Sequence, residues 1–284
     1  MSSTPNATPS PSPTDNPTVP TDSDGAPIEL SIIAPAHNEQ DNIAGLVTDV
    51  HEALTPIGLG FELIIVNDGS TDQTEARILE QMADHPWLHA VRLAGATPGK
   101  GLGPSAGFHA GIRSARGRLI AFLDADRQND PADLPGMIDM LREQRVDMVQ
   151  GDRSHDRRDN VVRRVSSWVG RTFRRVCLGD PIRDTACALR VFKREIGSAL
   201  PLQFAGLHRF IPFYTRLLGY KVAEYRTNHR PRVAGEAKYG VRNRAIPALV
   251  DLIAVRWMRN RLRPMDWEAV EPDKAGPSDR EGSA

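Results

Sequence analysis

Three clusters of polar side chains follow short apolar runs, and their residue types limit the chemistry they can do. Asp124 and Asp126 flank Ala125 after Leu119–Leu123, and Gln128 comes next in alternation. If the strand continues, all three point the same way. Two carboxylates and an amide oxygen are hard ligands suited to Mg2+ or Mn2+. Such an ion bridges phosphate oxygens and neutralises a phosphate leaving group. The competing reading is a helix cap, since Asp130 before Pro131 needs no metal to explain it. Asp68 stands in Asn67-Asp68-Gly69-Ser70 after Phe61–Asn67, and Glu39 in Pro35-Ala36-His37-Asn38-Glu39 after Leu30–Pro35. Singly, each acid reads as well as a cap of the following helix. At neighbouring strand ends they can also accept hydrogen bonds from a nucleotide base and ribose.

The Gly95–Gly107 stretch contains Gly99-Lys100-Gly101-Leu102-Gly103. A P-loop needs four residues between its glycines and Ser or Thr after the Lys. Neither condition holds, and the dinucleotide G-x-G-x-x-G spacing fails too. A loop beside a phosphate-bearing ligand, with Lys100 as a contact, remains. Arg153, Arg157, Arg158, Arg163, Arg164, Arg171, Arg174 and Arg175 follow, with only Asp156 and Asp159 as acids before Cys177. Arg163 and Ser167 are four apart and share a helix face. A solvated helix face would mix signs, whereas arginine is suited to bidentate phosphate recognition. A second cationic run comprises Arg226, His229, Arg230, Arg232, Lys238, Arg242 and Arg244, punctuated by Gly235 and Gly240. Basic loops of this kind can close over a diphosphate.

These residues need elements to position them. Strands are predicted at Leu30–Pro35, Phe61–Asn67, Leu88–Leu93, Leu119–Leu123 and Asp147–Gln150, with a strand-like Lys221–Tyr225. Helices are predicted at Asn38–Leu54, Thr71–Ala83, Ala106–Ala115 and Pro131–Gln144. This alternation predicts an α/β fold: a mostly parallel sheet covered on both faces, with its ligand at the carboxyl ends of the strands. Residues 1–27 and 264–284 hold little to bury and read as disordered tails. Residues 28–244 read as the folded domain. Ala245–Arg263 reads as an amphipathic helix suited to a membrane interface, with packing on the core as the alternative.

The chain has 284 residues, with 40% hydrophobic and 25% charged, ordinary for a globular protein. Its 36 basic and 36 acidic side chains cancel. The cancellation is not local. Residues 1–152 hold 9 basic and 22 acidic side chains, and residues 153–263 hold 25 and 8. The cationic part therefore suits anionic ligands or surfaces. Cys177 and Cys187, with no Cys or His cluster beside them, read as free thiols rather than a zinc site. No apolar run is long enough to span a bilayer. With 6% aromatic residues and no recognisable binding motif, nucleic acid is not expected as a partner.

PAHNE, VNDGSTD, the glycine-rich loop, DADRQNDP, CALRVFKRE, LHRFIP and NHRPRVAGEAKYG occur in one order. In that order the chain resembles the inverting GT-A-fold glycosyltransferases of family 2. It is similar in particular to the polyprenyl- and dolichyl-phosphate sugar transferases, the group that includes dolichyl-phosphate mannose synthase. The resemblance covers about residues 28–262. It implies transfer of a sugar from a nucleotide-diphosphate sugar, GDP-mannose or a UDP-sugar, to a lipid phosphate, with Mg2+ or Mn2+ as cofactor. The alternative is a soluble sugar or polysaccharide acceptor.

By the same resemblance, Pro35, His37, Glu39, Asp68, Asp124 and Ala125 hold the donor, with Arg226, Arg232 and Lys238 on its diphosphate. Asp124, Asp126 and Gln128 hold the ion, and Arg153, Arg163 and Ser167 the acceptor phosphate. Asp126, Arg163 and Lys238 are the implied catalytic residues. A peripheral position on the cytoplasmic face of a membrane is implied as well, with a membrane-anchoring protein as a further partner. Two positions depart from the family pattern: His37, where Tyr is usual, and Arg127, where a neutral residue is usual.

Overall fold

The computed structural model describes residues 27–155, 161–228, 230 and 242–263, with the backbone alone for 161–169 and 242–246. The first half alternates strands and helices: β1 (Leu30–Ala36), α1 (Ile43–Leu54), β2 (Phe61–Asn67), α2 (Thr74–Asp84), β3 (Leu88–Arg92), α3 (Pro104–Ser114), β4 (Leu119–Phe122), α4 (Leu134–Glu143) and β5 (Met148–Asp152). Then come α5 (Val161–Leu178), β6 (Arg190–Lys193), α6 (Arg194–Ala199), α7 (Ile211–Leu217), β7 (Val222–Arg226) and α8 (Arg242–Arg261).

The strands form one seven-stranded sheet in the order β3-β2-β1-β4-β6-β5-β7. Neighbours pair in parallel except β6, which runs antiparallel to both β4 and β5. The predicted mostly parallel sheet is present. Its reversed strand, only four residues long, had no counterpart among the predicted elements.

Both faces of the sheet are covered, so β1 and β2 read as unbroken apolar runs rather than alternating ones. Ile32, Ala34, Leu63 and Ile65 face a core closed by Ile43, Leu46, Val47 and Val50 of α1 and by Leu134, Met137, Ile138 and Leu141 of α4. Ile33, Ile64, Val66, Ile120 and Phe122 face the other core, closed by Phe108 and Ile112 of α3, Ile196 of α6 and Phe213 of α7. Full burial of such a side chain contributes ~1.5–3 kcal/mol. The Phe108 and Phe122 rings stack with centroids 3.9 Å apart, and Phe192 meets Phe122 edge-on at 5.1 Å. α3 lies close over β1 because Gly107 and Gly111 face it. A Cβ on Gly107 would stand 2.7 Å from the Pro35 side chain, and one on Gly111 would collide with Ile33.

Two local expectations are corrected. The helix predicted from Asn38 begins at Ile43, because Asn38 sits at φ 54° and its side chain binds another loop. The one predicted from Pro131 starts as a 3-10 turn, Pro131–Asp133, capped by the Asp130 carboxylate accepting from the Ala132 N–H at 3.0 Å. The predicted C-terminal helix is present as α8. Leu252 and Val255 pack on the core, while Leu249, Val250, Ile253 and Trp257 face outward. Residues 1–26 and 264–284 lie outside the described residues.

Candidate active site

β2, β1 and β4 are neighbours in the sheet and run in parallel, so their carboxyl-terminal loops lie side by side. The first two loops are sewn together. The His37 Nδ1–H donates to the Asp68 carbonyl at 2.6 Å. The Asn38 N–H donates to Ser70 Oγ, and the Thr71 N–H donates to Asn38 Oδ1 at 2.8 Å. The Glu39 N–H meets Thr74 Oγ1 at 2.8 Å, and its carboxylate accepts from the Asn42 side chain at 2.7 Å. These contacts explain the left-handed Asn38, a residue that tolerates positive φ.

The buried Asp68 carboxylate accepts from the backbone N–H groups of Leu102 and Gly103, at 2.7 and 2.8 Å. It therefore anchors the glycine-rich loop. Gly101 is required there, since any side chain would run into that carboxylate. Pro35 packs beneath α3, and Lys100 stays exposed on the loop.

Beyond β4 the strand does not continue as the alternation reading assumed. Arg127 turns the chain at φ 59°. The turn, rather than strand pleat, sets the approach of Asp124, Asp126 and Gln128. Within it the Gln128 N–H donates to Asp126 Oδ1 at 3.2 Å, and Asn129 Nδ2 donates to Asp124 Oδ2 at 3.2 Å. Burial, and then the charge of Asp126, push the Asp124 carboxyl up to about 6. A buried carboxylate of raised proton affinity beside a second acid is a site that a cation would relieve. Among the described residues no three His, Cys, Asp or Glu side chains gather as a metal group. The donor set at this turn is two carboxylates plus the Gln128 amide.

A charged layer lies behind the turn. Arg153 binds Asp184 through its Nε–H at 2.9 Å, so it is committed to an acid as well as being a candidate for a phosphate. Gln150 donates to the carbonyls of Asp184 and Cys187, at 3.1 and 3.0 Å, and fixes the loop before β6. The guanidinium of Arg190 is fully enclosed and donates to the carbonyls of Cys187, Ala188 and His208. Burial lowers its pKa to about 10, which still leaves it charged near neutrality. Burial raises the Cys187 thiol to about 11, so it is neutral and inert, and Cys177 is likewise free.

His208 joins the segment before α7 to the start of α3. Its Nδ1 lies 2.9 Å from Ser105 Oγ, and burial pushes its pKa down to about 3. Arg174 of the arginine-rich segment pairs with buried Asp180. Arg226 is exposed at the end of β7. Arg163 and Ser167 fall one turn apart on α5, with their side chains outside the described residues, as are Arg232 and Lys238 altogether. Sequence reasoning missed Asp49, Asp184 and Arg190. Asp49 and Asp184 are given away only by partners 78 and 31 residues distant, and Arg190 only by its burial.

Comparison with known proteins bears on this arrangement. The model of "Glycosyl transferase family 2" matches residues 31–199. A dodecaprenyl-phosphate galacturonate synthase of Rhizobium johnstonii is 32% identical over 241 residues, covering 84% of this chain and 69% of that protein. An undecaprenyl-phosphate 4-deoxy-4-formamido-L-arabinose transferase of Shewanella sediminis is 32% identical over 224 residues, covering 79% and 65%. The chain thus spans about two-thirds of the length of these relatives.

Among solved structures, a Pyrobaculum calidifontis mannosyltransferase in complex with GDP-Man and Mn2+ superposes with a TM-score of 0.58 at 18% identity, over 81% of this chain and 64% of that one. Glucosyl-3-phosphoglycerate synthase of Mycobacterium tuberculosis with Mn2+, UDP and phosphoglyceric acid gives 0.59 at 22%, over 80% and 78%. At such identities the likeness speaks for the GT-A fold. With the family model matched along residues 31–199 and a relative at 32% identity, the chain belongs to the glycosyltransferases of family 2.

Proposed function

We propose that the chain moves a sugar, with inversion, from a nucleoside-diphosphate sugar to a polyprenyl phosphate. The observation that carries this reading is that relatives at 32% identity, matching along about four-fifths of the chain, are named for transfer onto dodecaprenyl and undecaprenyl phosphate. A phosphate oxygen of the acceptor attacks the anomeric carbon as the bond from that carbon to the nucleoside diphosphate breaks. A phosphate monoester is largely dianionic near neutral pH, so no strong general base is required. This agrees with a neutral, structurally engaged His208. Rate then comes from positioning and from stabilising charge on the leaving group.

Asp124, Asp126 and Gln128 would hold a divalent ion, Mg2+ or Mn2+. The raised proton affinity of buried Asp124, with Asp126 beside it, fits that assignment. When bound, the ion supplies charge neutralisation at the departing diphosphate. His37, Glu39 and Asp68 would line the nucleoside side of the crevice, with Pro35 and Ala125 beside it. Arg226, Arg232 and Lys238 would meet the diphosphate, and Arg153, Arg163 and Ser167 the acceptor phosphate.

Such an acceptor keeps its hydrocarbon tail in a bilayer, so the enzyme must reach the membrane surface. Among the described residues no helix is long and apolar enough to cross one. The outward face of α8, with Leu249, Val250, Ile253 and Trp257, and the basic residues Arg261 and Arg263 that follow it, suit peripheral docking on anionic lipid, while Arg256 and Arg259 reach the Cys177 and Leu178 carbonyls of α5.

The test is incubation of the purified chain with Mg2+ or Mn2+, polyprenyl phosphate and a panel of nucleotide sugars, with soluble sugars as competing acceptors. A lipid-linked sugar made by the wild type and lost in Asp126→Ala supports the reading. Transfer to soluble sugars alone would overturn the acceptor, and full activity in Asp126→Ala would overturn the metal.

A further inference from the structure

The turn that carries the proposed ion ligands is held from outside by a ladder of alternating charges. Arg127 reaches back onto α1, where its Nε–H and Nη2–H donate to the two oxygens of Asp49, at 2.8 and 3.1 Å. Asp49 also meets Arg230 Nη1 at 3.1 Å. Arg230 grips both oxygens of Asp130 in turn, at 2.9 and 2.7 Å. The order Arg127, Asp49, Arg230, Asp130 therefore begins and ends on the turn, one residue past Asp126 and two past Gln128.

The chain leaving β7 is strapped across the same turn. The Arg230 N–H donates to the Gln128 carbonyl at 3.0 Å, and Asn228 binds both oxygens of Asp133, at 2.8 and 3.0 Å. Arg127 lies against α1 at Gly45, where any side chain would occupy the position of its guanidinium.

This arrangement has a physical purpose. Arg127 at φ 59° is an uncommon conformation for a residue other than glycine, asparagine or aspartate. Such a conformation is strained and persists only when the surroundings over-determine it. The bidentate pair with Asp49 supplies that determination, being partly enclosed and two-pronged. The Arg127 position decides where the Asp126 carboxylate and the Gln128 backbone stand. Groups that orient metal ligands without touching the ion change metal affinity by roughly 10–100-fold when removed.

We propose that the ladder Arg127–Asp49–Arg230–Asp130 is the device that presents Asp126 and Gln128 to the divalent ion, with Arg127 and Arg230 as positioning residues. It also couples the ion turn to the chain that leaves β7. The inference rests on the metal reading above, since it names what orients the ligands of that same ion.

Two full-chain variants test it. Arg127→Asn removes the ion pair but keeps a residue at ease with positive φ, so the turn backbone is not itself penalised. Asp49→Asn leaves the turn untouched and weakens both arginine contacts from α1. The readouts are Mn2+ binding to the protein alone, the Mn2+ concentration at half-maximal transfer, and Tm. The expected result is Mn2+ affinity weakened about tenfold in both variants, with kcat restored at saturating Mn2+ and an unchanged KM for lipid phosphate. A fall in Tm with unaltered Mn2+ affinity in both would make the ladder merely structural and overturn the proposal. If instead Asp126→Ala keeps full activity and the wild type takes up no Mn2+, the metal reading fails and the ladder proposal falls with it. Loss of Mn2+ uptake in Asp126→Ala with unaltered uptake in Arg127→Asn and Asp49→Asn rejects the ladder alone.

Discussion

Asp68 offers a prediction whose size follows from its contacts. Both of its oxygens are engaged, each by one backbone N–H of the glycine-rich loop. Asp68→Asn keeps one acceptor oxygen and turns an NH2 group toward the other N–H. Two charge-assisted bonds at ~1.5–3 kcal/mol each would become one neutral bond of ~1 kcal/mol. Leu102 is exposed and Gly103 half-buried, so water recovers part of the difference and the lower end applies. A local loss of ~2 kcal/mol is expected, about 30-fold in the opening equilibrium of the loop.

Amide hydrogen exchange read by NMR measures it directly. Leu102 and Gly103 should exchange about 30-fold faster, while Val47 and Val50 in the α1 core keep their wild-type rates. Gly101→Ala should loosen the same two amides, because its methyl displaces the carboxylate from the other side. Exchange at Leu102 and Gly103 within threefold of wild type would refute the reasoning. Asp68 would then be free to serve the nucleotide alone. Faster exchange with weaker nucleotide affinity would make the loop anchor part of donor binding.

Other consequences are separately measurable. Burial, with Arg209 and Arg190 nearby, holds His208 at about 3, against ~6.5 in an unfolded chain. The unfolded state therefore takes up the proton first as pH falls. Stability is lost from about pH 6.5 down to about 3, by ~2 kcal/mol at pH 5. The Tm gap between wild type and His208→Gln should narrow on acidification, and parallel pH profiles would sink this assignment. Gly111→Ala should destabilise the fold by ~1–3 kcal/mol in denaturant titration, because α3 cannot withdraw from Ile33 without opening a core; an unchanged midpoint would contradict the close approach. Trp257→Ala with Ile253→Ser should reduce co-sedimentation with phosphatidylglycerol vesicles and leave Tm unchanged, since both side chains face outward; equal sedimentation would remove α8 from membrane docking.

Much of this molecule is legible along the chain because the controlling forces are local. Apolar runs such as FELIIVN become strands, and Asn67, Asp68, Asp124 and Asp126 stand at strand ends in sequence as they do in space. The family motifs reside in these same short segments, so the fold class and the first three clusters follow from them. The segmental charge asymmetry is equally plain, yet its meaning is not. Counted along the chain, Arg153, Arg174 and Arg230 belong to runs that look ready for phosphate. In three dimensions each meets a carboxylate on Asp184, Asp180 or Asp130, and the last two pairs are 6 and 100 residues apart in sequence.

The tertiary structure alone decided those partnerships, the insertion of antiparallel β6 between β4 and β5, the late start of α1, and the left-handed turn at Arg127. Local propensity cannot foresee them, because each is settled by which distant group arrives to satisfy a buried charge or an unpaired backbone N–H. The types and order of the reactive side chains were written in the sequence. Which of those charges remain for a substrate, and which are spent holding the site in shape, was decided only when the chain folded.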